Sequence, residues 1–330
     1  MAESNYTALT GNIPMRDGYG HALRALCAAR SDIMVLDADV AKSTRTVWIR
    51  NEYPEHFLDM GIAEQDMAGT AAGMALGGLT PFISTYGVFL AGRAWDQIRT
   101  TICYNNLNVK LGGAHAGLSV GRDGATHQAL EDIALMRALP HMTVLVPCDA
   151  EETRKATLAA AAVKGPVYIR CGREAVPVIT DADAPFKIGK ARLVYGSDVN
   201  DVPESGDYAS PSCVIFANGA QTGEALHAAR MLAKQKIPAT VYDLHTVKPL
   251  DKETVLAAAR TAGRIVTVEE HQKAGGMGSA VAEYLAESCP VPMRILAVDD
   301  SFGQSGSPDE LYDYYHLRAA DIALAVLELL

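Results

Sequence analysis

Three short segments carry residues that could do chemistry. The first is Met60-Gly61-Ile62-Ala63-Glu64-Gln65, between the apolar pair Phe57-Leu58 and an alanine-rich stretch. An acid in the first turn of a helix suits the helix dipole, and Gly61 permits a tight turn just before it. The following helix is small and apolar, so the site could bury the carboxyl of Glu64. The second segment is Phe82-Ile83-Ser84-Thr85-Tyr86-Gly87-Val88-Phe89. Two of its aromatics, Tyr86 and Phe89, stand three apart across a strand-to-helix turn and could stack on a flat ring or simply fill core.

The third segment is the most specific. His115-Ala116-Gly117-Leu118-Ser119-Val120-Gly121-Arg122-Asp123-Gly124-Ala125-Thr126-His127-Gln128 follows a strand expected to end near Leu111. Glycines, two histidines, an Arg and an Asp crowd one loop at the carboxyl end of a strand, where parallel sheets bind ligands. No third soft ligand lies near the two histidines at metal-site spacing, so no metal is expected there.

The elements that must position these residues alternate. Short β-branched runs read as strands: Ile33 to Leu36, Pro81 to Thr85, Thr143 to Val146 and Pro166 to Ile169, then Cys213 to Ala217, Ala239 to Asp243, Ile265 to Val268 and Arg294 to Val298. Between them, helices are expected over Glu64 to Leu76, Val88 to Tyr104 (with Trp95, Ile98 and Ile102 on one face), Asp149 to Ala162, Thr222 to Lys234, Lys252 to Thr261, Ser279 to Glu287 and Ala319 to Leu330. Asp149 should cap its helix. This alternation implies α/β architecture: two domains, each a mainly parallel sheet flanked by helices. The expected division is residues 1–185, a linker or lead-in over 186–211, and residues 212–330. Gly275-Gly276-Met277-Gly278 lacks the third glycine of a dinucleotide loop, because Val281 stands there, and reads as a tight turn into a helix.

Composition bounds the function. The chain has 330 residues, 49% hydrophobic and 21% charged, with a formal net charge of −10. No basic field attracts nucleic acid or an anionic membrane; an anionic substrate would need a local cluster of Arg and His. The six cysteines show no disulfide-framework spacing and read as reduced thiols of a cytosolic protein. No segment approaches the ~20 apolar residues that span a bilayer.

Taken together, the three segments resemble the pyrimidine-binding domain of thiamine diphosphate enzymes of the transketolase family. The order Gly-Ile-Ala-Glu-Gln, aromatic turn, Gly-x-Asp-Gly-x-Thr-His-Gln is similar to that of transketolase and of 1-deoxyxylulose-5-phosphate synthase. The likeness runs from about Pro14 to the C-terminus, and the second half is similar to the family's C-terminal domain. It implies that Glu64 hydrogen-bonds the coenzyme's aminopyrimidine, that Tyr86 and Phe89 form part of the aromatic wall, and that Ile62 and Asp39 border the cofactor. Gly92 stands where the family carries a third aromatic. His115, eight residues before Asp123, resembles a phosphate-contacting His; Asp123 resembles a donor-hydroxyl contact, and His127 the His beside the donor carbonyl. Arg16, Ser43 and Arg173 match phosphate-contacting positions, so Arg16, Ser43, His115 and Arg173 would form the local anion site.

The family holds the diphosphate and its divalent metal through a Gly-Asp-Gly motif in a separate N-terminal domain. No such motif occurs here, and the stretch before Pro14 is too short for that domain. The resemblance therefore implies a split enzyme: a partner subunit carrying Gly-Asp-Gly, a site that needs thiamine diphosphate with Mg2+ or Ca2+, and an α2β2 heterotetramer moving a two-carbon ketol unit between phosphorylated sugars. Three alternatives stand beside it. The beta subunit of a 2-oxoacid dehydrogenase is disfavoured by the Thr-His-Gln loop and the phosphate positions. A deoxyxylulose-phosphate synthase subunit is disfavoured by the spacing of His115. A non-catalytic subunit would not need Glu64, Asp123 and His127.

Overall fold

The computed structural model describes residues 10–200 and 210–330. Its strands in chain order are β1 (Asn12–Pro14), β2 (Ile33–Asp37), β3 (Phe57–Asp59), β4 (Thr80–Tyr86), β5 (Lys110–Ala114), β6 (Thr143–Leu145), β7 (Val167–Arg170), β8 (Ala175–Pro177), β9 (Arg192–Tyr195), β10 (Cys213–Ala217), β11 (Ala239–Asp243), β12 (Thr246–Lys248), β13 (Ile265–Gln272) and β14 (Met293–Val298). They form two large open sheets. One runs β12-β6-β7-β5-β4-β2-β3, the other β14-β13-β10-β11-β9. Both are parallel except at one edge, where β12 pairs antiparallel with β6 and β9 antiparallel with β11. A two-stranded ribbon joins β1 to β8.

The continuous apolar strands follow from helices on both faces. All five residues of β10 and of β11 are buried, for example, with no alternation. The helix Met15–Ala29 packs against Ala150–Ala162 so closely that a Cβ on Gly18 would lie 1.8 Å from the carbonyl oxygen of Ala150. Asp149 caps the second helix, accepting from the Glu152 amide at 2.8 Å.

Two expected elements differ. The strand near Leu111 continues to Ala114, through two glycines that carry no β-propensity. The glycines are there for sterics: a Cβ on Gly112 would meet the Tyr19 hydroxyl at 2.5 Å, and one on Gly113 the Tyr168 hydroxyl at 2.2 Å. The helix expected over 88–104 is broken. It is α-helical over Gly87–Arg93, leaves that geometry at Ala94 (φ −97°, ψ 10°), resumes over Trp95–Gln97, and widens into a π-helix over Ile98–Cys103. There the Tyr104 amide reaches the Arg99 carbonyl at 3.0 Å. Ile98 and Ile102 are fully buried as expected.

Of the segment 186–211, residues 201–209 lie outside the described residues, and Arg192–Tyr195 is the edge strand β9. The glycine turn before Met277 does open a helix, and its first amides are taken internally: Met277 and Gly278 each donate to Glu269 at 2.8 Å. No described helix is long and apolar enough to cross a membrane. All six cysteines are free.

Candidate active site

The candidate residues gather at the carboxyl edge of the first sheet. Asp37 ends β2 and is fully buried. Its carboxylate accepts from the Val40 amide (2.7 Å) and from the hydroxyls of Thr44 (2.7 Å) and Thr46 (2.8 Å). That fixes the turn carrying Asp39 (φ 62°) and Ser43. Asp59, ending β3, ties this turn to the next: its Oδ1 accepts from the amides of Asp39 (3.2 Å) and Gly61 (3.0 Å). Gly61 adopts φ 69°, the left-handed turn expected before Glu64.

Glu64 opens the helix Glu64–Leu76 and is 4% exposed. Its partner is Arg93, whose Nη1 lies 2.9 Å from Glu64 Oε1. The Arg93 guanidinium also sits 3.9 Å from the centroid of the Phe89 ring. Phe89 and Tyr86 are stacked at 5.7 Å and 25°. His127 sets its ring edge against both, at 5.9 Å from Tyr86 and 5.4 Å from Phe89. Ile62, by contrast, is 74% exposed.

On its other side Tyr86 stacks on His115 at 4.5 Å and 22°, and its hydroxyl donates to Ser43 Oγ at 3.0 Å. Arg16, at the start of the helix Met15–Ala29, places Nη1 2.9 Å from His115 Nε2. A guanidinium only donates, so Nε2 accepts and the ring proton of the neutral imidazole sits on Nδ1. That Nδ1 has no partner among the described residues. Burial, then Arg16, Arg173, Arg45 and His127, push His115 down to about 3. Burial and Arg45 also lower Arg16 from its ordinary value.

Arg173 and Asp123 meet each other: Arg173 Nη1 donates to Asp123 Oδ2 at 3.1 Å and to the Val120 carbonyl at 2.8 Å. Glu64, Tyr86, Phe89, His115, His127, Arg16 and Ser43 are thus linked through direct contacts, with Arg93 as a bridge. Asp39 joins them by lining, with Ser43, Tyr86, Lys42, Arg50 and Asp59, a cavity of about 380 Å3.

Sequence reasoning missed Arg93 and Asp37. Arg93 stands one helical turn after Phe89, so its i,i+4 spacing could have revealed it. Asp37 looked like the end of a strand; only the fold shows its three donors. Away from this edge, Cys148, Glu152 and Asp243 come close enough together to hold a metal ion. Arg192 already donates to all three, at 3.2, 3.1 and 3.0 Å, so the cluster is a closed ion-pair network.

Two doubly wound sheets, with flat rings, a buried carboxylate and a cationic edge at the end of the first, define a ligand-binding α/β protein. Residues 11–178 match the family model "Transketolase, pyrimidine binding domain" and residues 207–322 match "Transketolase, C-terminal domain". The chain belongs to the transketolase family. It is 40% identical over 318 residues to a putative transketolase C-terminal section of Methanocaldococcus jannaschii, covering 95% of each chain. It is 38% identical over 314 residues to the 6-deoxy-6-sulfo-D-fructose transketolase subunit SqwH of Clostridium sp. (strain MSTE9), covering 95% of this chain and 94% of that one. Among solved structures it resembles a split gene transketolase described as an inactive beta4 tetramer, with a TM-score of 0.84, 43% identity, and coverage of 97% and 98%.

Proposed function

We propose that this chain is the C-terminal subunit of a split, thiamine diphosphate-dependent transketolase. It moves a two-carbon ketol unit between phosphorylated sugars and acts with a separate N-terminal subunit. The observation that carries the reading is the continuous run of contacts from the buried carboxylate of Glu64, through the Tyr86–Phe89 ring wall, to the Arg16–His115–Ser43 group. The split is supported by two relatives matched nearly end to end, one named a transketolase C-terminal section and one a split gene transketolase.

The residues fit the coenzyme's pyrimidine. Two nearly parallel rings offer a stacking face, and the Glu64 carboxylate, paired with Arg93 at 2.9 Å, offers a buried proton-sharing group. When bound, thiamine diphosphate supplies an electron sink for the ketol carbons. In this reading Glu64 holds a proton shared with the aminopyrimidine ring, Tyr86 and Phe89 stack on that ring, and Ile62 and Asp39 border it. Arg93 must yield part of its contact with Glu64 or Phe89 to admit it. His127 faces the donor carbonyl and exchanges a proton or hydrogen bond there. Asp123 receives a donor hydroxyl, which requires it to release Arg173.

Arg173, Arg16, Ser43 and His115 take the sugar's phosphate. His115 contributes as a neutral donor through Nδ1–H, while Arg16 supplies the charge. The relative SqwH is named for a sulfonated sugar, so the shared requirement is an anionic terminus. The diphosphate and its Mg2+ or Ca2+ belong to the partner's Gly-Asp-Gly domain, in an α2β2 assembly. Residues 1–185 act as the pyrimidine domain and 212–330 as the C-terminal domain, in a cytosolic enzyme with reduced thiols.

The test is co-expression with a subunit that carries Gly-Asp-Gly, sought first in the neighbouring reading frame, and a donor and acceptor screen with thiamine diphosphate and magnesium. Transfer from xylulose 5-phosphate or another phosphorylated ketose is expected. A pair that decarboxylates 2-oxoacids and ignores every sugar phosphate would overturn the reading.

A further inference from the structure

The loop that carries His115, Asp123 and His127 is fastened from outside, by the second half of the chain. Glu270 lies on β13 and is 4% exposed. Its Oε2 accepts from the Ser119 amide at 3.0 Å and from the Ser119 hydroxyl at 2.9 Å. Its Oε1 accepts from the buried hydroxyl of Tyr312. The same carboxylate lies beneath Gly117 (φ 89°), where a Cβ would come within 2.2 Å of Oε2. The Glu270 carbonyl accepts from Arg170 Nη2 at 2.7 Å, and Arg170 Nε is bound to Asp132 at 2.9 Å. At the far end of the loop, Gln128 Nε2 donates to the Gln304 carbonyl at 3.0 Å, and Gly124 lies against Ser305.

A carboxylate buried on a strand needs donors that replace water. Of the side-chain oxygens of Glu270, one finds its donors among the described residues only on this loop. Docking of the two halves and the shape of the loop are therefore coupled.

We infer that Glu270 is a positioning residue: through Ser119 it sets the conformation of the 115–128 loop, and so places His115, Asp123 and His127 for the sugar. The placement of the loop rests on geometry alone; its consequence for the sugar rests on the proposed function. Glu64, Tyr86 and Phe89 lie on other elements, so the anchor reaches the coenzyme's pyrimidine face only through the ring contacts of His115 and His127.

Hydrogen exchange of the purified chain and kinetics of the two-subunit complex test the inference together. In Glu270→Ala, amides of residues 115–128 should exchange about tenfold faster, the weight of a hydrogen bond to a charged group. Strands β2 and β4 should keep wild-type protection. In the complex, kcat/KM for the donor should fall by about the same factor, with a smaller change in half-saturation by thiamine diphosphate. Glu270→Gln, which keeps an oxygen for Ser119 and an amide for the Tyr312 oxygen, should restore most of the loop's protection. Unchanged loop exchange in Glu270→Ala overturns the inference, and so does faster exchange spread evenly over the whole second half. If Glu270→Ala does not fold, Ser119→Ala decides: about threefold faster exchange confined to the loop supports the anchor, and wild-type exchange overturns it. A wild-type complex without ketol transfer would remove the functional reading while the exchange result still decides the anchor.

Discussion

His115 acts as a neutral ring, and that has a stability consequence. Burial and neighbouring cations hold it at about 3, against an ordinary value of 6.5. Between those values the unfolded chain binds a proton that the folded chain refuses, so stability falls as pH falls through 6.5. The loss accrues at up to about 1.4 kcal/mol per pH unit and ends near the folded value. His115→Gln keeps an oxygen to accept from Arg16 but cannot titrate. From pH 7 to pH 5, urea unfolding should therefore cost wild type up to about 2 kcal/mol more than the variant; equal losses would contradict the buried neutral ring. At this scale the sequence was informative where residue types were unusual. Histidines and Asp123 in a glycine-rich loop stood out. Arg93 did not, because an Arg in a helix is ordinary until its neighbours Glu64 and Phe89 are seen in space.

Elements carry the site by close approach. Arg16 sits in the first turn of Met15–Ala29, two residues before Gly18. A methyl on Gly18 would meet the backbone oxygen of Ala150 at 1.8 Å and its carbon at 2.8 Å, and backbone cannot swing aside. Gly18→Ala should force the two helices apart, cost about 2 kcal/mol or more, and move Arg16 from His115. Denaturant melts of the variant measure the first effect. A variant as stable as wild type would mean the helices tolerate separation. The strands were legible because both their faces are buried, which leaves continuous β-branched runs such as Cys213 to Ala217. The last residues of β5 were not, because Gly112 and Gly113 serve the rings of Tyr19 and Tyr168 and show no strand preference. The π-helix over Ile98–Cys103 was equally hidden: its apolar spacing matches an α-helix, and the widening appears only in the backbone bonds.

At the scale of the whole molecule, the two halves are joined by buried charge. Arg192 bridges Glu152 from the first sheet's helices and Asp243 from the second sheet, both carboxylates being at most 1% exposed. Removing one member of such a network leaves buried charge uncompensated, at a cost of about 3–5 kcal/mol. Arg192→Ala should therefore unfold at much lower denaturant, and the two halves should part into separate transitions. A single transition at the wild-type midpoint would show that the network contributes nothing. The alternation of elements announced two layered sheets. It did not announce that β12, from the second half, completes the first sheet, since a three-residue edge strand has too short a pattern to read.

In the proposed function, Glu64 and its ring wall form half of a coenzyme site that another polypeptide completes. Calorimetric titration of thiamine diphosphate, with magnesium, into the chain alone, into a candidate Gly-Asp-Gly subunit alone and into the mixture, each followed by a ketol-transfer assay, tests this most directly. We predict tight binding and ketol transfer by the mixture, loss of transfer by about a thousandfold or more in a mixture containing Glu64→Ala, and no transfer by either chain alone. Full transfer by the isolated chain, or wild-type rates with Glu64→Ala, would contradict the account.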